Sequence, residues 1–239
     1  MSNGKRKRPN QKALPIRQRT YQKLKNVTPR NEHQADYLDA IENNVVTIGL
    51  GPAGSGKTYL ATYMALLNHF SKDIKRIIIT RPAVEADGEK LGFLPGGLED
   101  KMNPFVRPIY DSLVDLTDLE FLKDKMEKGY IEIAPLAYMR GRTFNNCIVI
   151  LDEAQNASLS QLKMALTRIG ENCKLIIDGD PGQSDLSAHK SGLHKLTTIL
   201  EGVPNVGIVQ FDRSDIVRSQ VVADIVGAFE RYEEEDESN

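Results

Sequence analysis

Apolar positions along this chain fall into two kinds of stretch. Val45-Val46-Thr47-Ile48-Gly49-Leu50, Ile77-Ile78-Ile79-Thr80, Cys147 to Leu151, Cys173 to Asp178 and Val206 to Phe211 are short, nearly continuous apolar runs, with a lesser one at Ile131-Glu132-Ile133-Ala134. Runs of that length predict strands buried on both faces. Between them apolar residues recur every three or four positions, as in Gln34, Tyr37, Leu38 and Ile41, or Leu60, Ala61, Met64 and Leu67. That spacing predicts helices from Lys57 to Phe70, Pro104 to Val114, Leu119 to Lys128, Ser158 to Ile169, Ser191 to Leu200 and Asp215 to Tyr232. The first helix is expected to open with Thr28 as N-cap and Pro29 as first helical residue. Residues Arg81 to Gly97 read as a glycine-rich loop. Strands and helices in alternation imply an α/β fold, with a mostly parallel sheet covered by helices on both faces.

The first strand runs straight into Gly51-Pro52-Ala53-Gly54-Ser55-Gly56-Lys57-Thr58, and a helix follows. A glycine, four residues, then Gly-Lys-Thr is a phosphate-binding loop, so the fold is read as a P-loop NTPase. Its backbone N–H groups wrap the α- and β-phosphates, Lys57 reaches the β- and γ-phosphates, and the Thr58 hydroxyl holds Mg²⁺. Glycines admit both the turn and the close approach of backbone to phosphate. The helix beginning near Lys57 turns its positive end toward the same anion. The binding set therefore runs from Gly51 through Thr58 and takes in Tyr59. A nucleoside triphosphate is the expected ligand. The Asn/Thr-Lys-x-Asp motif that reads guanine is absent from the sequence, so ATP is expected.

A second anchor is Ile148-Val149-Ile150-Leu151-Asp152-Glu153. An apolar strand ending in Asp-Glu is what a P-loop enzyme needs opposite its loop. Asp152 would join the Mg²⁺ shell, and Glu153 would deprotonate a water attacking the γ-phosphate. A third is Ile176-Ile177-Asp178-Gly179-Asp180-Pro181-Gly182-Gln183, which brings Gln183 to the sheet's ligand-binding edge. There Gln183 would contact the γ-phosphate or the water; the competing reading is a Pro-Gly turn capped locally by Asp180. Gln34 would present its amide to the adenine edge, or else serve a capping box with the Asn31 region. Arg81, Arg140, Arg142, Arg168, Arg213 and Arg218 are the arginines placed to neutralise transition-state charge. Arg218, opening the last helix, is preferred, with Arg213 as its substitute.

Charge is balanced overall, at a net of −2, yet polarised along the chain. Ten basic residues and no acidic one lie between Met1 and Arg30, whereas Glu233-Glu234-Glu235-Asp236-Glu237 lies at the other end. The expected organisation is a basic flexible arm over 1–27, an ATPase domain over 28–229 and an acidic tail over 230–239. The arm fits nucleic-acid phosphates, a solubility or targeting role, or the acidic tails of neighbouring copies. No stretch approaches the about 18 apolar residues of a membrane span, and the N-terminus lacks a signal peptide's apolar core. Cys147 and Cys173 are the two cysteines and are read as reduced core thiols rather than a disulfide. A cytoplasmic protein without a zinc site is expected.

These blocks together resemble the PhoH-like ATPases, a family of bacteria and their phages related to the first RecA-type domain of superfamily 1 helicases. The resemblance covers Thr28 to Phe229. It rests on the P-loop, on Thr80-Arg81-Pro82-Ala83-Val84-Glu85-Ala86, and on Leu91-Gly92-Phe93-Leu94-Pro95-Gly96. Tyr138-Met139-Arg140-Gly141-Arg142-Thr143, Leu151-Asp152-Glu153-Ala154-Gln155-Asn156 to Gly170, and Gly179-Asp180-Pro181-Gly182-Gln183 complete it. It implies a RecA-like fold and an ATPase acting on RNA as a ring of six subunits. One departure is Val217-Arg218-Ser219, where the family usually has Val-Arg-His. Another is that neither an RNA-binding nor a nuclease domain accompanies the ATPase block. With one P-loop and one sheet, any stepping motion needs a second copy, with the ATP site at a subunit boundary and an arginine supplied in trans. Single-stranded RNA is the favoured partner, with Phe93, Phe105, Tyr138 and Phe144 as aromatics able to stack a base. Two other classes remain: a nucleotide-gated interaction module, and a small-molecule kinase, against which the water-directing Glu153 argues.

Overall fold

The computed structural model describes residues 24–71, 73–82, 107–183, 192–217 and 228. Residues 1–23 of the N-terminal arm, the stretch from Leu91 to Gly97, Arg218 and the acidic tail lie outside these residues, as does most of the expected closing helix.

Six strands form one parallel sheet: β1 (Val46–Leu50), β2 (Arg76–Arg81), β3 (Ile131–Pro135), β4 (Cys147–Leu151), β5 (Cys173–Gly179) and β6 (Val206–Gln210). Their order across the sheet is β3-β2-β4-β5-β1-β6. The apolar runs alternate their side chains between two cores. Ile77, Ile79, Ile148, Ile150 and Ile176 face α1 (Glu32–Asn43), α2 (Lys57–Phe70), α3 (Arg107–Leu116) and α4 (Leu119–Glu127). Ile48, Ile78, Val149, Leu151, Leu175 and Ile177 face the other way, with α5 (Leu159–Leu166) and α6 (Leu193–Leu200). Each such fully buried side chain contributes about 1.5–3 kcal/mol of transfer free energy, which is why the runs are unbroken.

Several boundaries differ from the sequence reading, three of them with a clear physical reason. Helix α1 begins at Glu32, where Asn31 accepts the Gln34 N–H at 2.8 Å. Asn outranks Thr at that position, and Thr28-Pro29 instead belongs to a non-helical lead-in. That lead-in packs: Val27 is buried, Leu24 lies against the core and the Lys25 N–H bonds the Leu116 carbonyl at 2.8 Å. Residues 24–27, expected in the arm, are thus part of the folded unit. Helix α5 stops at Leu166 rather than Ile169, because the next residues turn to set Ile169 in a parallel bridge with Phe144. Its start carries the capping box of Ser158 and Gln161. Cys147 and Cys173 are register partners on β4 and β5, both buried, their sulfurs hydrogen-bonded at 3.6 Å and not joined in a disulfide.

The strands deliver chemistry to one edge. The carboxyl ends of β1, β2, β4 and β5 lead respectively into the P-loop, Arg81, Asp152-Glu153 and Gly179-Asp180. That edge of an open parallel sheet is where ligands bind.

Candidate nucleotide site

The loop from Gly51 to Thr58 is anchored below by strand hydrogen bonds that continue past the strands: the Gly51 N–H reaches the Gly179 carbonyl at 3.1 Å. Gly51 sits at φ +140°, and a Cβ there would lie 2.6 Å from both the Cβ and the carbonyl oxygen of Phe211. Glycine is therefore obligatory at that turn. Lys57 is buried, and its Nζ donates to the carbonyls of Gly51 (2.7 Å) and Pro52 (2.9 Å) and to Ser55 Oγ (3.1 Å). Burial pulls its ammonium below the ordinary lysine value, while the carboxylates of Asp178, Asp180, Asp152 and Glu153 push it back up. The ammonium is thus held over the loop, with carboxylates around it.

Across the cleft, Asp152 is buried and accepts from two sides. Thr58 Oγ1 donates to Oδ1 at 2.8 Å, and Arg81 donates to Oδ2 from Nε at 2.9 Å and Nη2 at 2.5 Å. The same Nη2 stands 3.8 Å from Glu153 Oε1. Thr58 and Asp152 were expected to share a metal, and their oxygens converge. A hydroxyl and a carboxylate are the hard oxygen donors that Mg²⁺ takes, so these two residues fit it. Glu153 adopts a left-handed backbone at φ +54°, which turns the chain out of β4 into a short 3₁₀ turn, Ala154–Asn156. Non-glycine residues held there cost about 1–3 kcal/mol and cluster at functional sites.

Asp180, just past β5, accepts the Ala53 N–H on Oδ2 at 3.2 Å and the Gly182 N–H on Oδ1 at 2.9 Å. The Gln183 N–H closes the turn on the Asp180 carbonyl at 3.1 Å, leaving the Gln183 side chain exposed at the cleft. The segment is a Pro-Gly turn capped by Asp180, and it faces the P-loop.

Gln34 is almost fully buried. Its Oε1 accepts the Arg30 N–H at 2.8 Å, and its Nε2 donates to the Ser55 carbonyl at 2.9 Å, inside the P-loop. Its amide braces the loop against the start of α1. Tyr59 lines the cleft beside Thr58, its hydroxyl on Asp115 at 2.8 Å, a carboxylate that Lys25 also holds at 2.8 Å. A cleft of about 820 Å³ joins these parts, from Asn26 and Thr28 at one end to Asp152 and Gln183 at the other.

Of the six candidate arginines, Arg81 alone among those described lines the cleft. Arg142 makes a two-point pair with Glu132 at 2.6 and 2.8 Å, Arg168 donates to the Arg142 carbonyl at 3.4 Å, and Arg140 and Arg213 are exposed. Arg218, the preferred candidate, lies outside the described residues. Among the aromatics, Tyr138 is 54% exposed, while Phe144 is in the core and unavailable for stacking; Phe93 and Phe105 are outside the described residues. The sequence reading gave Gln155 no role and left Arg81 as one of six; Arg81 lines the cleft, and Gln155 is buried against Glu153. The signal for Gln155 was its position two residues after Glu153.

A family model described as PhoH-like protein matches residues 26–230. PhoH-like proteins of Mycobacterium tuberculosis and Bacillus subtilis are 48% and 47% identical to this chain over 211 and 210 residues, or 88% and 87% of it. The chain spans 60% and 66% of those proteins' own lengths. The large terminase of a thermophilic bacteriophage superposes with a TM-score of 0.55 over 83% of this chain and 50% of its own, at 12% identity, a likeness of fold. Among the described residues no helix is long and apolar enough to cross a membrane. With its P-loop on a six-stranded parallel sheet of RecA-like type, this nucleotide-binding chain belongs to the PhoH-like family.

Proposed function

We propose that the chain hydrolyses ATP in a reaction stimulated by single-stranded nucleic acid, RNA in preference to DNA. The observation that carries this reading is the meeting of Lys57, Thr58, Asp152 and Glu153 in one cleft at the carboxyl edge of the sheet. In the reaction, Lys57 and the P-loop N–H groups bind the β- and γ-phosphates and Gln183 faces the γ-phosphate. The Glu153 carboxylate takes a proton from a water whose oxygen bonds to the γ-phosphorus as the bridging oxygen leaves with ADP. Thr58 and Asp152 would hold Mg²⁺, which when bound would supply positive charge to offset that of the phosphates. Gln34 keeps the loop in shape, and Arg81 supplies positive charge at the γ-phosphate end. The notion of a six-membered ring with Arg218 acting in trans is supported by the single P-loop in the sequence, by one sheet among the described residues and by the family the chain belongs to. The ten basic residues before Glu32 support contact with polynucleotide phosphates.

Steady-state ATPase rates with and without single-stranded RNA or DNA, with Lys57→Ala as control, test the reading. RNA stimulation that vanishes in the control is the expected result. Hydrolysis indifferent to both strands would overturn the nucleic-acid part and favour a nucleotide-gated interaction module. Mixing Lys57→Ala and Arg218→Ala subunits tests the shared site, since a trans arginine restores activity in the mixture and no recovery counts against it.

A further inference from the structure

Glu153 needs more than a place in the cleft. A carboxylate that takes a water's proton has to present a defined oxygen in a defined direction, and its side chain is 47% exposed. Gln155 supplies a constraint that its own burial makes rigid. This side chain is only 2% exposed, and both ends of its amide are engaged. Nε2 donates to Glu153 Oε2 at 2.6 Å, and Oε1 accepts the Asp180 N–H at 3.0 Å. An amide is the one neutral side chain of that length that donates at one end while accepting at the other. A glutamate here would set two carboxylates against each other, and a methionine would leave both partners unmatched.

The contact continues beyond Gln155. The Asp180 side chain takes N–H groups from Ala53 in the P-loop and from Gly182 in its own turn. A hydrogen-bonded series therefore runs from Glu153 through Gln155 and Asp180 to the P-loop, joining three loops that leave different strands. Position 179 shows how closely the parts are fitted: a Cβ on Gly179 would stand 2.9 Å from Gln155 Oε1 and 2.6 Å from a Leu193 methyl. Glycine at 179 is what lets the amide approach the turn.

We infer that Gln155 is a positioning residue: it sets the orientation of the Glu153 carboxylate and ties that orientation to the turn from Gly179 to Gln183. This rests on the hydrolytic reading above, in which Glu153 is the base. Movement of the turn toward a γ-phosphate is then transmitted to the base through one buried amide, so that Glu153 is aligned only when the turn is in place.

The test is a double-mutant cycle of Gln155→Met and Glu153→Gln, read as kcat, KM, fluorescent ADP affinity and melting temperature. Gln155→Met is expected to lower kcat by roughly 10–100-fold, a part of the 10²–10⁴-fold that general-base catalysis supplies, while ADP affinity stays within about twofold. The double variant should be no slower than Glu153→Gln alone, because Gln155 acts through Glu153. Gly179→Ala, which pushes the amide off the turn, should reproduce the kcat loss. Unchanged kcat in Gln155→Met, or a double variant slower still, would overturn the inference. Crystals of wild type and Gln155→Met separate it from the hydrolytic reading. A wild-type chain that turns over no ATP refutes that reading alone. A Glu153 carboxylate that keeps its orientation in Gln155→Met refutes the positioning role, whatever the rates.

Discussion

Asp178 is a buried carboxyl on β5, opposite Gly49 of the strand that enters the P-loop, and its substitution has a calculable effect. It is fully buried on β5; the Tyr37 hydroxyl bonds Oδ1, and Oδ2 has no partner among the described residues. Burial, joined by the nearby Asp152 carboxylate, raises its pKa from 3.8 to about 7, against the opposing pull of the Tyr37 hydroxyl and Lys57. The folded chain therefore binds this proton more tightly than the unfolded chain. Its contribution to stability is complete below pH 3.8 and is lost as pH rises through about 7. At 1.36 kcal/mol per decade of proton affinity, the loss totals about 4 kcal/mol. Asp178→Asn keeps an acceptor for Tyr37 and cannot ionise. It also places an amide N–H₂ where Oδ2 has no partner, a cost of about 1–3 kcal/mol that does not vary with pH. The pH-dependent part is isolated by urea unfolding of both proteins at pH 4 and pH 8. The stability of Asp178→Asn relative to wild type should rise by about 4 kcal/mol between them, a relative midpoint shift of about 1.3–2 M for an m-value of about 2–3 kcal/mol/M. A difference that stays flat, or falls as pH rises, would refute the reasoning, because either requires that Asp178 be no harder to ionise in the folded chain.

Three further outcomes are expected. Arg81→Ala strips the counter-charge from a buried Asp152 and should cost about 3 kcal/mol. In a thermal melt this is a fall of roughly 6–12 °C, partly restored by millimolar Mg²⁺ and more so than in wild type. His33 donates to the buried Asp215 carboxylate at 2.7 Å, and that bond raises its pKa above 6.5. The pair's stabilisation is therefore present below pH 6.5 and lost as pH rises through the folded value. His33→Ala should destabilise the chain by under about 1 kcal/mol at pH 5.5, since the imidazole is 39% exposed and screened, and less at pH 8.5. Cys147 and Cys173 should react with a thiol reagent only on unfolding, and non-reducing mass analysis should find both free; a native disulfide would contradict the 3.6 Å spacing of their sulfurs.

The residues that specify local structure were legible in the chain itself. The four inner strands were readable because a strand with helices on both faces has no polar side to interrupt its run, whereas the edge strands β3 and β6 are only partly buried. The P-loop and Asp152-Glu153 were readable because phosphate and metal chemistry requires particular residue types at short, fixed spacing. Even the site's edge followed, since loops after parallel strands share one side. The order of strands across the sheet was not in the sequence, and much of the site depends on it. Arg81 meets Asp152 only because β2 pairs with β4, and Asp180 meets Ala53 only because β5 lies beside β1. Gln34 and Gln155 carry the same amide, and nothing in their local sequence says whether it faces a ligand, a loop carbonyl or a carboxylate. Residues 24–27 read as arm because they continue a stretch with basic and no acidic residues, yet Val27 is buried in the core that α2 and α3 share. Local chemistry is encoded at short range, in periodicity and spacing. Partners brought together from different strands are selected by how the whole chain packs, and only the tertiary structure decides which they are.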